Sequence, residues 1–198
     1  GIRDDLVTGV SDVCSSDLLK QKSADKLEPT ALDYLERMQN AANRMQRLIK
    51  DLLAFSRVSN NQGLFTPVDL NIIVGEVISD LEGTIELCEG NINTALLPLV
   101  TADATQMRQL FQNIIGNALK FRRPEVRPEV SINWVNHEFF QAKTSSTNRP
   151  EFYEIAIIDN GIGIDPQYAE KLFVPFQRLH GKSEYEGTGI GLAVCRKI

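Results

Sequence analysis

The chain has 198 residues, a formal net charge of −5, 42% hydrophobic and 24% charged residues, a globular composition that excludes wholesale disorder. No apolar run approaches the ~18 residues a membrane helix requires, and the mild acidity excludes the strong positive field on which general nucleic-acid binding depends. Two histidines and three cysteines show no metal-ligand spacing and no even disulfide framework, which points to a reducing, cytoplasmic setting.

Residues 1–18 show neither helical nor strand periodicity. They back-translate into a string that resembles a common sequencing-library adapter, so they are set apart as a non-native segment. They carry a net charge of −3, which leaves −2 for the rest. Pro29 and Thr30 then close a polar stretch, and Thr30 with Asp33 has the spacing of a helix N-cap and an acidic first turn. Residues 31–58 contain no Gly or Pro. Leu32, Leu35, Met38, Ala42, Met45, Ile49 and Leu52 recur there at intervals of three and four. That is close to a heptad seam, widened by Leu48, Leu53 and Phe55 toward what a four-helix bundle needs. The spacing predicts a long dimerisation helix, and the polar stretch 59–63 separates it from the C-terminal part of the chain.

Beyond that stretch the pattern is mixed α/β. Residues 64–68 read as a strand, and Asp69 starts a helix running to about residue 89. Residues 91–95 and 99–102 read as strands, and Asp103 with Gln106 opens a helix that reaches Phe121. Residues 130–140 and 152–158 read as strands joined by a polar hairpin loop, and 188–198 as a helix entered through glycines. Cys88 and Cys195 lie among apolar residues and read as buried thiols.

Three elements carry chemistry. Asn113 and Asn117 are four apart, so both amides lie on one helix face. Neutral amide oxygens suit Mg2+, and Lys120 can place a point charge near the same phosphates. Asp159-Asn160-Gly161-Ile162-Gly163-Ile164 comes directly after a strand. There a carboxylate can accept from an exocyclic amine such as adenine's, while two glycines permit a tight turn. Gly187-Thr188-Gly189-Ile190-Gly191-Leu192 opens a helix, where backbone N–H groups can meet an anion. It is neither a dinucleotide fingerprint nor a P-loop.

Taken together and in this order, the three elements resemble the ATP-binding region of two-component sensor histidine kinases. Residues 106–121 look like that family's N box, 159–164 like its G1 box, 171–180 like its F box and 187–198 like its G2 box. Residues 44–58 resemble the second helix of its dimerisation and phosphotransfer domain, and the last two boxes are especially like the phytochrome-related and PAS-linked kinases. The resemblance implies an α+β fold: a two-layer α/β sandwich of the histidine-kinase ATPase type, preceded by a long dimerisation helix. It implies ATP and Mg2+ as cofactors, with Asn117 as the main metal ligand and Asn113 supporting it. Lys120 would contact phosphate and Asp159 the adenine amine. Gly161 and Gly163 would hinge a mobile lid. Gly187, Thr188, Gly189 and Gly191 would cradle phosphates. Phe173 and Phe176 would anchor the lid, and Arg178 is a further phosphate contact.

The implied organisation is an adapter-like segment at 1–18, a partial dimerisation domain at 19–60 holding the second helix only, and an ATP-binding domain at 61–198 whose C-terminal strands are missing. The implied partners are a response regulator receiver domain and a second copy of the chain, paired through residues 31–58. The family's phosphoacceptor histidine has no match here: His137-Glu138 lies in a strand pattern and His180 in the lid motif. The fragment is therefore expected not to phosphorylate itself. Two other readings are a nucleotide-sensing or dimerisation module without catalysis, and another ATPase of the same superfamily. The hydrolases among the latter place a Glu four residues before the N-box Asn, where this chain has Gln109 before Asn113 and Asn113 before Asn117.

Overall fold

The structure, a computed structural model, describes residues 28–60, 65–136, 153–177 and 187–198. The chain divides into two compact units, Gly1–Ala54 and Phe55–Ile198. What is described of the first belongs to the helix α1, Pro29–Asn60. This helix starts ahead of the cap expected at Thr30. The Glu28 carbonyl accepts from Ala31 N at 2.9 Å and Leu32 N at 3.2 Å. Pro29 then stands at the first helical position, where its missing N–H costs nothing. Tyr34, Met38, Met45, Ile49, Leu52 and Leu53 are all more than half exposed, so the apolar stripe read from the sequence faces solvent along much of its length.

In the second unit the elements are β1 Thr66–Asp69, α2 Leu70–Asp80, α3 Glu82–Leu87, β2 Asn91–Thr94, β3 Leu99–Ala102, α4 Ala104–Lys120, β4 Glu129–Asn136, β5 Tyr153–Asp159, a 3-10 helix Pro166–Phe173 and α5 Gly191–Lys197. β1 and β3 form an antiparallel pair. β2 pairs parallel with β4, and β4 antiparallel with β5. α2 and α4 supply the helical layer. Leu70, Ile73, Val74 and Val77 of α2 meet Phe111, Ile115, Ala118 and Leu119 of α4 and Val130 and Ile132 of β4 in one core. Val130 and Ile132 are fully buried while Asn133 is exposed, the period-two alternation of a half-buried strand. This is the α+β sandwich expected.

The N-caps expected at Asp69 and Asp103 form, unlike the one expected at Thr30. Asp103 Oδ1 accepts from Thr105 N at 2.8 Å and Gln106 N at 3.1 Å. Asp69 Oδ1 accepts from Asn71 N at 2.9 Å and Asn71 Nδ2 at 2.8 Å. Two helix boundaries and the burial of both cysteines, each half-buried, differ from the sequence reading. The helix expected over 69–89 is interrupted at Leu81, a partly buried residue packed on the core, and Gly83 just beyond it has poor helix propensity. The final helix begins at Gly191, three residues later than expected. Cys88 is half-buried rather than buried, packed against the core with its thiol 3.5 Å from Ile85 O. The hairpin loop and residues 137–140 lie outside the described residues, and His137 with them.

Asn71 also fastens the β2–β3 connection. Its Nδ2 donates to Leu97 O and its Oδ1 accepts from Leu97 N, each at 2.8 Å. Leu97 is buried, so truncating the amide strands a donor and an acceptor away from water. Asn71→Ala is expected to lower the unfolding free energy by about 2 kcal/mol. The Asn71 side chain, and then its backbone N–H, also hold the Asp69 carboxyl below the usual carboxylate range. A depressed folded pKa gives stability that is present above the unfolded value and is lost as pH falls through the folded value. Asn71→Ala is therefore also expected to flatten the acid limb of the stability profile, and urea titrations at several acidic pH values measure both effects.

Candidate functional site

The site is built on α4. Its apolar residues are drawn into the core, which leaves Asn113, Asn117 and Lys120, half-buried, on another face. Leu119 is buried and Ile114 half-buried. Each of the two glycine motifs is laid against this helix.

The first motif docks on the helix end. Phe121, the C-cap of α4, accepts a hydrogen bond from Ile162 N at 3.0 Å through its carbonyl. Asp159 Oδ1 accepts from Gly161 N at 2.8 Å, and Arg123 Nε donates to Gly161 O at 2.8 Å. Asn160 ties the turn to the preceding loop, donating to Arg127 O at 2.9 Å and accepting from Glu129 N at 3.0 Å. A Cβ on residue 161 would stand 2.6 Å from Phe121 O, so glycine is required there for close approach. Gly161 is thus buried and bonded at both its N–H and its carbonyl. That is the condition of a fixed point, not of the hinge expected. Gly163 is exposed, has φ +74° and has nothing within 4 Å of its Cβ direction, which suits a hinge. Asp159 is exposed at the strand end, and its second carboxylate oxygen has no hydrogen-bond partner among the described residues.

The second motif runs beside the same helix. A Cβ on Gly187 would stand 3.2 Å from Lys120 Nζ, and one on Gly191 would stand 3.2 Å from Asn113 Oδ1. Lys120 Nζ also lies 4.0 Å from the centre of the Phe121 ring. Gly189 has φ +75° and accepts from Phe176 N at 3.0 Å. Phe176 itself has φ +65° and is 60% exposed, a backbone state costing a non-glycine residue on the order of 1 kcal/mol. Phe173 is 37% exposed, with the Arg196 guanidinium 5.6 Å from its ring. Neither ring is buried, so any anchoring runs through the Phe176 backbone and the Arg196 contact. Arg178, His180 and residues 181–186 lie outside the described residues.

A metal ion can be tested against these donors. Among the described residues no group of three or more His, Cys, Asp or Glu could hold one. The Asn117 side-chain amide has no hydrogen-bond partner among them and can offer its oxygen. The Asn113 amide is engaged: Nδ2 donates to Gly191 O at 3.2 Å and Oδ1 accepts from Gln109 Nε2 at 3.4 Å. A single neutral ligand fits Mg2+ that keeps its waters and takes phosphate oxygens. The interhelix engagement of Asn113 had no signal in the sequence, because nothing in the spacing sets residue 113 against residue 191.

Residues 102–198 match the family described as histidine kinase-, DNA gyrase B-, and HSP90-like ATPase. Residues 13–61 match the His Kinase A (phospho-acceptor) domain. The phytochrome-like protein Cph1 of Synechocystis sp. is 35% identical over 181 residues, covering 91% of this chain and 22% of that protein. The chain thus spans about a fifth of the length of the curated relatives it matches. The crystal structure of full-length ShkA in complex with AMPPNP shares the fold, with a TM-score of 0.61, 18% identity and coverage of 94% of this chain and 40% of that one. So does histidine kinase ThkA in complex with the response regulator protein TrrA, with a TM-score of 0.54, 19% identity and coverage of 89% and 48%. With one family matched along the α1 region and another from β3 through α5, the chain belongs to the sensor histidine kinases of two-component signalling.

Proposed function

We propose that the chain is the ATP-binding, phosphate-donating part of a sensor histidine kinase. The γ-phosphate of ATP passes to a histidine and onward to an aspartate of a response regulator. The observation that carries this reading is the convergence on one helix: Phe121 O holds the Asp159–Gly163 turn, and Lys120 Nζ lies beside Gly187. Adenine-directed and phosphate-directed groups are thereby fixed relative to one another before any ligand arrives, which lowers the ordering cost of binding.

In this reading the outward carboxylate oxygen of Asp159 accepts from the adenine amine. Gly187, Thr188, Gly189 and Gly191 present backbone to the phosphates, with no side chain on three of the four to hold them off. Lys120 places its ammonium at the same point, and Arg178 adds a second cation. Gly163 serves as the near hinge of the lid, whose far end is tied by Phe176 N to Gly189 O. Asn117 holds Mg2+, which supplies charge neutralisation at the phosphate oxygens when bound. These residues align and neutralise, as phosphoryl transfer requires of a protein. ThkA, seen with TrrA, supports a receiver domain as the downstream partner. We infer a cytoplasmic reaction from the proposed use of ATP and such a partner. Separately, no helix among the described residues is long and apolar enough to cross a membrane. Residues 19–60 and 61–198 are proposed as the dimerisation part and the ATP-binding part, and 1–18 as a foreign segment, although the phospho-acceptor match begins at residue 13 within it. The exposed stripe of α1 is the surface through which two copies pair.

Two outcomes are expected. In titration calorimetry, Asn117→Ala weakens Mg–ATP about tenfold or more while leaving metal-free ATP unchanged, and Asp159→Ala weakens ATP and ADP alike. Equal effects of Asn117→Ala with and without Mg2+ would remove its metal role. In sedimentation equilibrium, Ile49→Asp raises the dimer dissociation constant at least about tenfold, because a carboxylate in an apolar seam must be desolvated. An unchanged dimer, or a wild-type monomer, would exclude pairing through this stripe.

A further inference from the structure

α4 and α5 are joined by a polar contact that the nucleotide reading leaves unused. Asn113 Nδ2 donates to Gly191 O at 3.2 Å. One turn along α5, the Cys195 thiol donates to Leu110 O of α4 at 3.9 Å. The Asn113 oxygen accepts from Gln109 Nε2 at 3.4 Å. A Cβ on residue 191 would meet Asn113 Oδ1 at 3.2 Å and Cγ at 3.4 Å. A side chain at residue 191 would therefore press on the Asn113 amide and displace it by a few tenths of an ångström.

We propose that Asn113 is a positioning residue that clamps the start of α5 to α4, and not a ligand of the metal. Through Gly191 it fixes where Gly187–Ile190 leaves the helix, and so keeps Gly187 beside Lys120 Nζ. An amide whose Nδ2 is held by Gly191 O and whose oxygen accepts from Gln109 cannot turn that oxygen to a cation without giving up the clamp. This assignment rests on the nucleotide site proposed above. It separates two asparagines that the shared helix face makes look equivalent: Asn117 acts on the ligand, whereas Asn113 acts on the loop that meets it.

The test is titration calorimetry of the full chain with Mg–ADP and with ADP in chelator, for wild type, Asn113→Ala, Asn113→Asp and the control Asn117→Ala, each first checked for a cooperative melt. Asn113→Asp keeps an oxygen ligand but loses the donor to Gly191 O. The clamp predicts that Asn113→Ala weakens both forms by the same factor, about tenfold for the loss of a part-buried hydrogen bond. It also predicts that Asn113→Asp loses Mg–ADP affinity to a similar extent. A loss confined to Mg–ADP in Asn113→Ala, or retained or tightened Mg–ADP binding in Asn113→Asp, would overturn the assignment while leaving the nucleotide site standing. Should Asn113→Ala not fold, Asn113→Asp alone decides between the two roles. Absence of binding by folded wild type defeats the nucleotide reading and this inference together.

Discussion

Phe121 closes α4, and its carbonyl oxygen is the point against which the adenine-side turn is built. That oxygen accepts from Ile162 N at 3.0 Å and stands where a Cβ on residue 161 would lie 2.6 Å away. A helix C-terminus has carbonyls left without intrahelical partners. Here one is satisfied by the glycine turn after β5 rather than by water. One residue earlier Lys120 meets Gly187, and two turns earlier Asn113 meets Gly191. The spacing of the site is thus the spacing of residues along one helix, at about 1.5 Å of rise per residue. Anything that shifts α4 shifts both ends of the site together.

What holds α4 in place can be decided on magnitudes. Arg108 pairs with Glu76 and Asp80 of α2, the most conspicuous polar contact between the two helices. All three side chains are more than a third exposed, where such pairs contribute about 0–1 kcal/mol. Phe111, Ile115 and Leu119 are fully buried on the same helix, and burying each contributes about 1.5–3 kcal/mol. Apolar packing therefore fixes the height and rotation of α4, and Arg108 adds a choice of register against α2 at little energetic weight.

The parts legible in the sequence were those governed by local chemistry. Asp69 and Asp103 cap helices because a carboxylate reaches the N–H groups two and three residues on, whatever the tertiary setting. The alternation of Val130 and Ile132 gave the inward face of β4. Non-local facts were not legible. The parallel pairing of β2 with β4 depends on contacts across about forty residues of chain. The late start of α5 comes from the backbone of Gly187 and Gly189, both at positive φ, which lies outside helical space. Of the candidate site, motif membership was readable, but the division of labour within each motif was not. Gly161 and Gly163 look alike in sequence, yet one is locked against Phe121 O and the other stands in open space.

The same division bears on how a cation enters. Asn117 offers a neutral oxygen, and the described residues contain no acidic cluster able to hold a divalent ion. A divalent ion stripped of part of its water shell needs compensating negative charge nearby. In the proposed site, among the described residues, the group gathered at the phosphate end is the Lys120 ammonium beside the glycine backbone, so that charge is proposed to come from the nucleotide phosphates. On this reading metal and nucleotide binding are coupled, each supplying a charge that the described residues leave out. Lys120 stands in the same relation to the phosphates from the other side. It adds a fixed positive charge that does not depend on the metal, so nucleotide affinity falls without vanishing when the metal is removed.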